Sequence, residues 1–86
     1  MSKIEIYTAP FCGYCHGAKA LLSEKGLIFE EFDISSNDER SQEMIKRANG
    51  RHTVPQIFIG NIHVGGCDEL YSMEASGKLD QVLSKP

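Results

Sequence analysis

Two hydrophobic periodicities alternate along this chain, and their order leaves few folds open. Residues 3–8 alternate polar and apolar side chains and carry the strand formers Ile4, Ile6 and Tyr7, so they read as a first strand closed by Pro10. From Tyr14 the apolar positions Ala18, Leu21 and Leu22 recur at the spacing of one helix face, and Gly26 ends that helix. Residues 27–34 read as a second strand, with Glu30 and Glu31 at exposed positions. Ser36, with Glu39 three residues on, reads as the capping box of a second helix whose buried stripe is Met44, Ile45 and Ala48. Asp38 and Glu39 at its start and Lys46 and Arg47 near its end suit the helix dipole. Residues 55–59 and 62–64, parted by Gly60-Asn61, read as a hairpin. A helical segment from Cys67 carries Leu70, Tyr71 and Met73, and Gly77 breaks it before Leu79, Val82 and Leu83.

A strand, helix and strand in succession make a right-handed crossover with parallel strands, whereas a tight hairpin is antiparallel. The expectation is therefore an α/β fold, a four-stranded mixed sheet flanked by helices on both faces. With 86 residues, 41% of them hydrophobic, the chain can bury one core, so residues 1–86 are expected to form a single domain.

Charge and cysteine usage narrow the function. A net charge of -3, with nine Lys and Arg residues scattered along the chain, argues against nucleic acid as a partner. The first six residues alternate in polarity and lack the apolar run of a signal peptide or membrane span, so a cytoplasmic protein with no membrane partner is expected. Three cysteines are too few for a secreted disulfide scaffold and suit a reducing compartment.

Two of those cysteines stand in Cys12-Gly13-Tyr14-Cys15, where the first strand hands over to the first helix. The unpaired N–H groups and dipole of a helix start stabilise a thiolate, which makes Cys12 the better nucleophile. Cys15 lies about one turn into the helix on the same side, placed to attack a mixed disulfide formed on Cys12. The same spacing also supplies half of a tetrahedral zinc site. Cys67 with His16, His52 or His63 would have to complete it, and these form no second closely spaced pair. None of the three histidines is needed for thiol exchange.

Three segments, Cys12-Gly13-Tyr14-Cys15, Thr53-Val54-Pro55-Gln56-Ile57-Phe58-Ile59 and Gly65-Gly66-Cys67-Asp68-Glu69-Leu70, resemble the signatures of dithiol glutaredoxins of the small bacterial type, in order and with their usual separations. The resemblance spans essentially the whole chain and implies a thioredoxin-like fold and a glutathione-dependent thiol–disulfide oxidoreductase. In such an enzyme Cys12 takes glutathione from glutathionylated proteins, and Cys15 resolves the mixed disulfides made with disulfide-containing proteins. The partners implied are glutathione and these protein substrates, for a monomer.

The resemblance further implies a cis peptide before Pro55. It places glutathione against Tyr14, Gln42, Thr53, Val54, Pro55, Gly66, Cys67 and Asp68. In that placement Val54 offers its backbone to an extended peptide, the helix start at Gly66, Cys67 and Asp68 receives the γ-glutamyl carboxylate, and the Asp68 carboxylate faces the ligand's amino group. Local sequence leaves open a trans proline that merely starts a strand, an Asp68 that merely caps its helix, and a Tyr14 that merely packs. Cys67 is either a third redox thiol or a small residue beside the groove.

Two positions depart from the family pattern. Ala9 stands where many members carry lysine; Gln42, Arg51 and Lys19 are the candidates to compensate. Gly13 stands where proline is usual, and in the family that replacement is associated with a two-iron two-sulfur cluster held by the first cysteine, here Cys12, and by glutathione. Such a cluster-binding protein is one rival reading. A thioredoxin-like reductase served by a flavoprotein is the other.

Overall fold

The computed structural model describes residues 3–84. Met1, Ser2, Lys85 and Pro86, the ends of the expected single-domain span, lie outside the described residues. The element order is β1 (Ile4–Thr8), α1 (Gly13–Glu24), β2 (Glu30–Asp33), α2 (Asp38–Arg47), β3 (Gln56–Ile59), β4 (Ile62–Gly65), α3 (Cys67–Ser76) and α4 (Lys78–Leu83). The strands form one sheet in the order β2-β1-β3-β4, with β1 parallel to β2 and antiparallel to β3, and β3 antiparallel to β4. This is the mixed, thioredoxin-like sheet the sequence order implies.

Strand alternation sorts the core into two layers. Ile4 and Ile6 of β1 with Ile57 and Ile59 of β3 pack against Ala18, Leu21 and Leu22 of α1, Leu70 of α3, and Leu79, Val82 and Leu83 of α4. On the opposite face Tyr7 and Phe58 pack against Met44 and Ala48 of α2. That layer is edged by charge. Arg47 donates to the Tyr7 hydroxyl (2.8 Å) and to Glu5 (3.0 Å), and its guanidinium lies 4.1 Å from the Phe58 ring centroid. α2 is thus clamped to the sheet by a few specific contacts as well as by its short apolar stripe.

Two local readings of the sequence need correction. The second strand is Glu30–Asp33 and not residues 27–34, and Ile28 is 92% exposed. Gly26, at φ +72°, turns the chain out of α1, and the Leu27 N–H then bonds back to the Leu22 carbonyl (3.0 Å), so Leu27 closes the helix end and residues 27–29 connect it to the strand. The cap of α2 is Asn37 rather than Ser36: its side chain accepts the Arg40 N–H at 3.1 Å. Asparagine can serve this role as well as serine, and one residue of register is enough to make Ser36–Glu39 irrelevant.

Candidate active site

Cys12 is the N-cap of α1, with extended backbone, and its sulfur accepts the Cys15 N–H at 3.2 Å. One of the orphan donors of the helix start therefore points at the Cys12 sulfur. On the other side the Cys12 thiol lies 3.9 Å from the Val54 carbonyl, to which it donates. Cys15 is 2% exposed. Burial first, then hydrogen bonding to the Cys12 sulfur, push its thiol up to about 12, while the Ala9 backbone N–H and Lys19 act in the opposite direction. Cys12 and Cys15 are both free thiols.

A cleft of about 330 Å³ opens at Val54, whose carbonyl meets the Cys12 thiol, and is lined by Tyr14, Arg51, Thr53, Val54, Pro55, Gly66, Cys67, Asp68 and Glu69. Seven of the eight residues expected to meet glutathione come together there; Gln42 sits exposed on α2 and is not part of the lining. The Val54–Pro55 peptide is cis. The backbone before it is pinned from beneath by Gln56, which is fully buried and donates through Nε2 to the Thr53 carbonyl (3.0 Å) and hydroxyl (3.2 Å). Gln56 Oε1 accepts from His63 Nε2 at 2.7 Å, which fixes the tautomer of a ring stacked on Phe58. Burial, with Arg51 second, lowers the His63 pKa and keeps that ring neutral. A lone glutamine in an otherwise apolar strand was the signal for this support, and sequence reasoning passed over it.

The helix start at the cleft differs from expectation in one donor. The Gly66 N–H already bonds Glu69 Oε1 (2.6 Å), so it is not free for a ligand carboxylate; the N–H groups of Cys67 and Asp68, in the first turn of α3, have no intrahelical acceptor. Glu69 also holds Arg51 (Nη2–Oε1 3.2 Å), and the Gly66 N–H and Arg51 together keep its carboxyl below the usual range. Gly65, at φ +112°, makes this approach feasible: a Cβ there would fall 2.6 Å from Glu69 Oε1 and 3.1 Å from Arg51 Nη1. Cys67 is half-buried, its sulfur packed where a Cβ on Gly17 would meet it at 3.3 Å. Burial, then Asp68 and Cys12, raise its pKa, which keeps it a thiol.

A second, smaller cleft of about 180 Å³ lies on the other flank of Cys12, lined by Thr8, Ala9, Pro10, Phe11, Cys12, Cys15, His16, Lys19, Glu31 and Asp33. Lys19 pairs with Glu31 there (3.0 Å), away from the larger cleft, while His16 and His52 are exposed. Among the described residues no three His, Cys, Asp or Glu side chains converge as metal ligands, and no helix is long and apolar enough to cross a membrane.

The glutaredoxin family model matches residues 4–64. Glutaredoxin 3 of Escherichia coli strain K12 is 57% identical over 83 residues, covering 96% of this chain and 99% of its own. The solution structure of a glutaredoxin from Brucella melitensis, 55% identical, superposes with a TM-score of 0.83 over 96% of this chain and 89% of its own. The crystal structure of a buckwheat glutaredoxin–glutathione complex, 28% identical, superposes with a TM-score of 0.85 over 96% of this chain and 77% of its own.

Proposed function

The chain belongs to the glutaredoxin family, the glutathione-dependent thiol–disulfide oxidoreductases, and from that premise we propose a division of labour between its two active-site cysteines. Cys12 is the nucleophile. Its thiolate attacks the glutathione sulfur of a glutathionylated protein; the new Cys12–glutathione disulfide forms as the old bond breaks, and the protein leaves as a thiol. A second glutathione then reduces Cys12 and departs as glutathione disulfide. Cys15 serves the other route, attacking Cys12 in a mixed disulfide with a substrate protein to leave an oxidised Cys12–Cys15 pair that glutathione reduces.

The observation that carries this reading is the placement of Cys12 Sγ between a helix-start N–H and the Val54 carbonyl, at the edge of a peptide-sized cleft. Glutathione lies extended along Val54, its γ-glutamyl carboxylate on the N–H groups of Cys67 and Asp68, its amino group at the Asp68 carboxylate, and Tyr14 flanking it. Arg51, at the cleft although half engaged by Glu69, supplies the cation that Ala9 does not. Gln42 is left out of this set. The buckwheat protein named as a glutathione complex shares the fold, which supports the ligand class. Free cysteines on a one-domain chain fit a cytoplasmic monomer acting on disulfide-containing proteins.

For a cluster held by Cys12 and glutathione, the site offers one relevant fact: a Cβ at Gly13 would meet nothing within 4 Å. Space inside the protomer therefore does not require glycine there, and Gly13 lends that reading no steric support.

The test is turnover of a glutathionylated peptide, and separately of a protein disulfide, with glutathione, glutathione reductase and NADPH. Cys12→Ser abolishes both reactions. Cys15→Ser retains the first and loses most of the second; loss of both would mean the roles are misassigned.

A further inference from the structure

We propose that Lys19 is a positioning residue for the resolving cysteine: its ammonium, held by Glu31 in the smaller cleft that Cys12 and Cys15 share, favours the Cys15 thiolate as it closes on Cys12. This rests on the resolving role of Cys15 proposed above.

The closing step poses a proton problem. Cys15–SH must lose its proton, its thiolate must attack Cys12 Sγ, the Cys12–Cys15 bond must form as the Cys12–substrate bond breaks, and the departing substrate thiolate takes up a proton through solvent. The cysteine pair is oxidised and the substrate sulfur reduced, two electrons in all. Yet Cys15 is 2% exposed and its thiol is pushed up to about 12. Once Cys12 is locked in a mixed disulfide, its charge no longer opposes the Cys15 thiolate, and burial stands against the Ala9 N–H and the Lys19 cation.

The groups around Cys15 come from three elements, and they differ in what they can do. From α1, Lys19 follows Cys15 by four residues, one helical turn on the same side, and its side chain is 29% exposed. His16, also from α1, is exposed. From β2, Glu31 Oε2 takes both the Lys19 ammonium (3.0 Å) and the hydroxyl of the buried Thr8 of β1 (2.7 Å). Thr8 first, and Lys19 after it, keep the Glu31 carboxyl below its usual range, so it is a poor base but a firm tether. Asp33, the other carboxylate of the cleft, spends Oδ1 on the Ser35 N–H and hydroxyl. Lys19 is thus the cation that acts on Cys15, and the Thr8–Glu31 pair holds it on the wall of this cleft and outside the lining of the glutathione groove.

The experiment loads reduced protein with glutathione disulfide and follows, by acid quench and mass spectrometry across the neutral pH range, the conversion of Cys12–glutathione into the Cys12–Cys15 disulfide. Lys19→Met is expected to slow closure by roughly three- to tenfold at neutral pH and to displace its pH profile upward, because one unit of thiol pKa is a tenfold change in thiolate. Lys19→Arg should recover most of the rate. Glu31→Gln, which leaves Lys19 uncompensated, should displace the profile downward. A Lys19→Met profile that superimposes on wild type, displacement in the same direction by both variants, or equal slowing of the Cys12-only deglutathionylation would each overturn the proposal. Failure of the underlying reading looks different: Cys15→Ser itself would still reduce protein disulfides.

Discussion

The two clefts that flank Cys12 are built from different materials. The larger one is framed by backbone: the cis peptide before Pro55, the Val54 carbonyl, and the first turn of α3 at Cys67 and Asp68. Of its three charged side chains, Arg51 and Glu69 largely satisfy each other and Gly66, and Asp68 is the third. The smaller one is framed by side chains, with Lys19, Glu31 and Thr8 in one hydrogen-bonded row next to buried Cys15. The contrast matches the roles proposed for the two clefts. A peptide ligand is recognised by donors and acceptors in fixed positions, which backbone supplies without rotamer entropy. A proton leaves a buried thiol more readily beside a full positive charge, which a side chain adds to what backbone N–H groups give.

The largest break in this comparison should come from Gly65. Gly65→Ala puts a side chain at φ +112° and a Cβ 2.6 Å from Glu69 Oε1. The carboxylate can swing aside, but the backbone strain stays, at about 1–3 kcal/mol of stability. Urea unfolding should show that loss. Deglutathionylation by the folded variant should suffer more than Cys12–Cys15 closure, because Gly65 adjoins Gly66 in the cleft proposed for glutathione and is absent from the lining of the smaller cleft. Equal losses in the two reactions would deny that the clefts are functionally separate.

Asp68→Ala sharpens the same contrast with a smaller effect. It removes the charge-assisted contact proposed between an exposed residue of the larger cleft and the ligand's amino group, so glutathione-dependent kcat/KM should fall by an amount equivalent to about 1–2 kcal/mol. The rate of iodoacetamide alkylation at Cys12 should change little. Unchanged turnover across glutathione concentrations would mean that Asp68 is only part of a helix start.

How legible each cleft was in the sequence follows from the same difference in construction. Local features were readable, because Cys12–Cys15 sit on one strand-to-helix junction and Thr53–Pro55 and Gly66–Asp68 are contiguous motifs. Gln42 could not be placed by its residue type, since only the docking of α2 decides whether its side chain reaches the groove. The Lys19–Glu31 pair was likewise hidden. It joins residues 12 positions apart on a helix and a strand, and the true extent of that strand depended on how Leu27 follows α1. The capture of the Gly66 N–H by Glu69 required the left-handed turn at Gly65, which a Gly-Gly pair permits but does not dictate.

The smallest expected effect concerns Glu69, whose carboxylate braces the larger cleft. The Gly66 N–H, and Arg51 after it, lower its pKa, so the folded protein binds its proton less readily than the unfolded chain. A depressed carboxyl contributes stability that is present above the unfolded value and is lost as pH falls through the folded one. Glu69→Gln keeps an oxygen to accept the Gly66 N–H and removes only the charge. With both partners of the Arg51 pair nearly half exposed, at 47% and 45%, solvent screening holds the cost below about 1 kcal/mol at neutral pH. Urea unfolding at pH 7 should show wild type ahead by that small margin. The margin should shrink through the acid range and vanish once Glu69 is protonated in both states. At neutral pH the freed Arg51 should also lower the KM for glutathionylated peptide, because its cation is no longer shared with a carboxylate of the protein itself. A stability difference that persists unchanged at acid pH would show that Glu69 braces the groove by shape alone, and that Arg51 was never withheld from the ligand by charge.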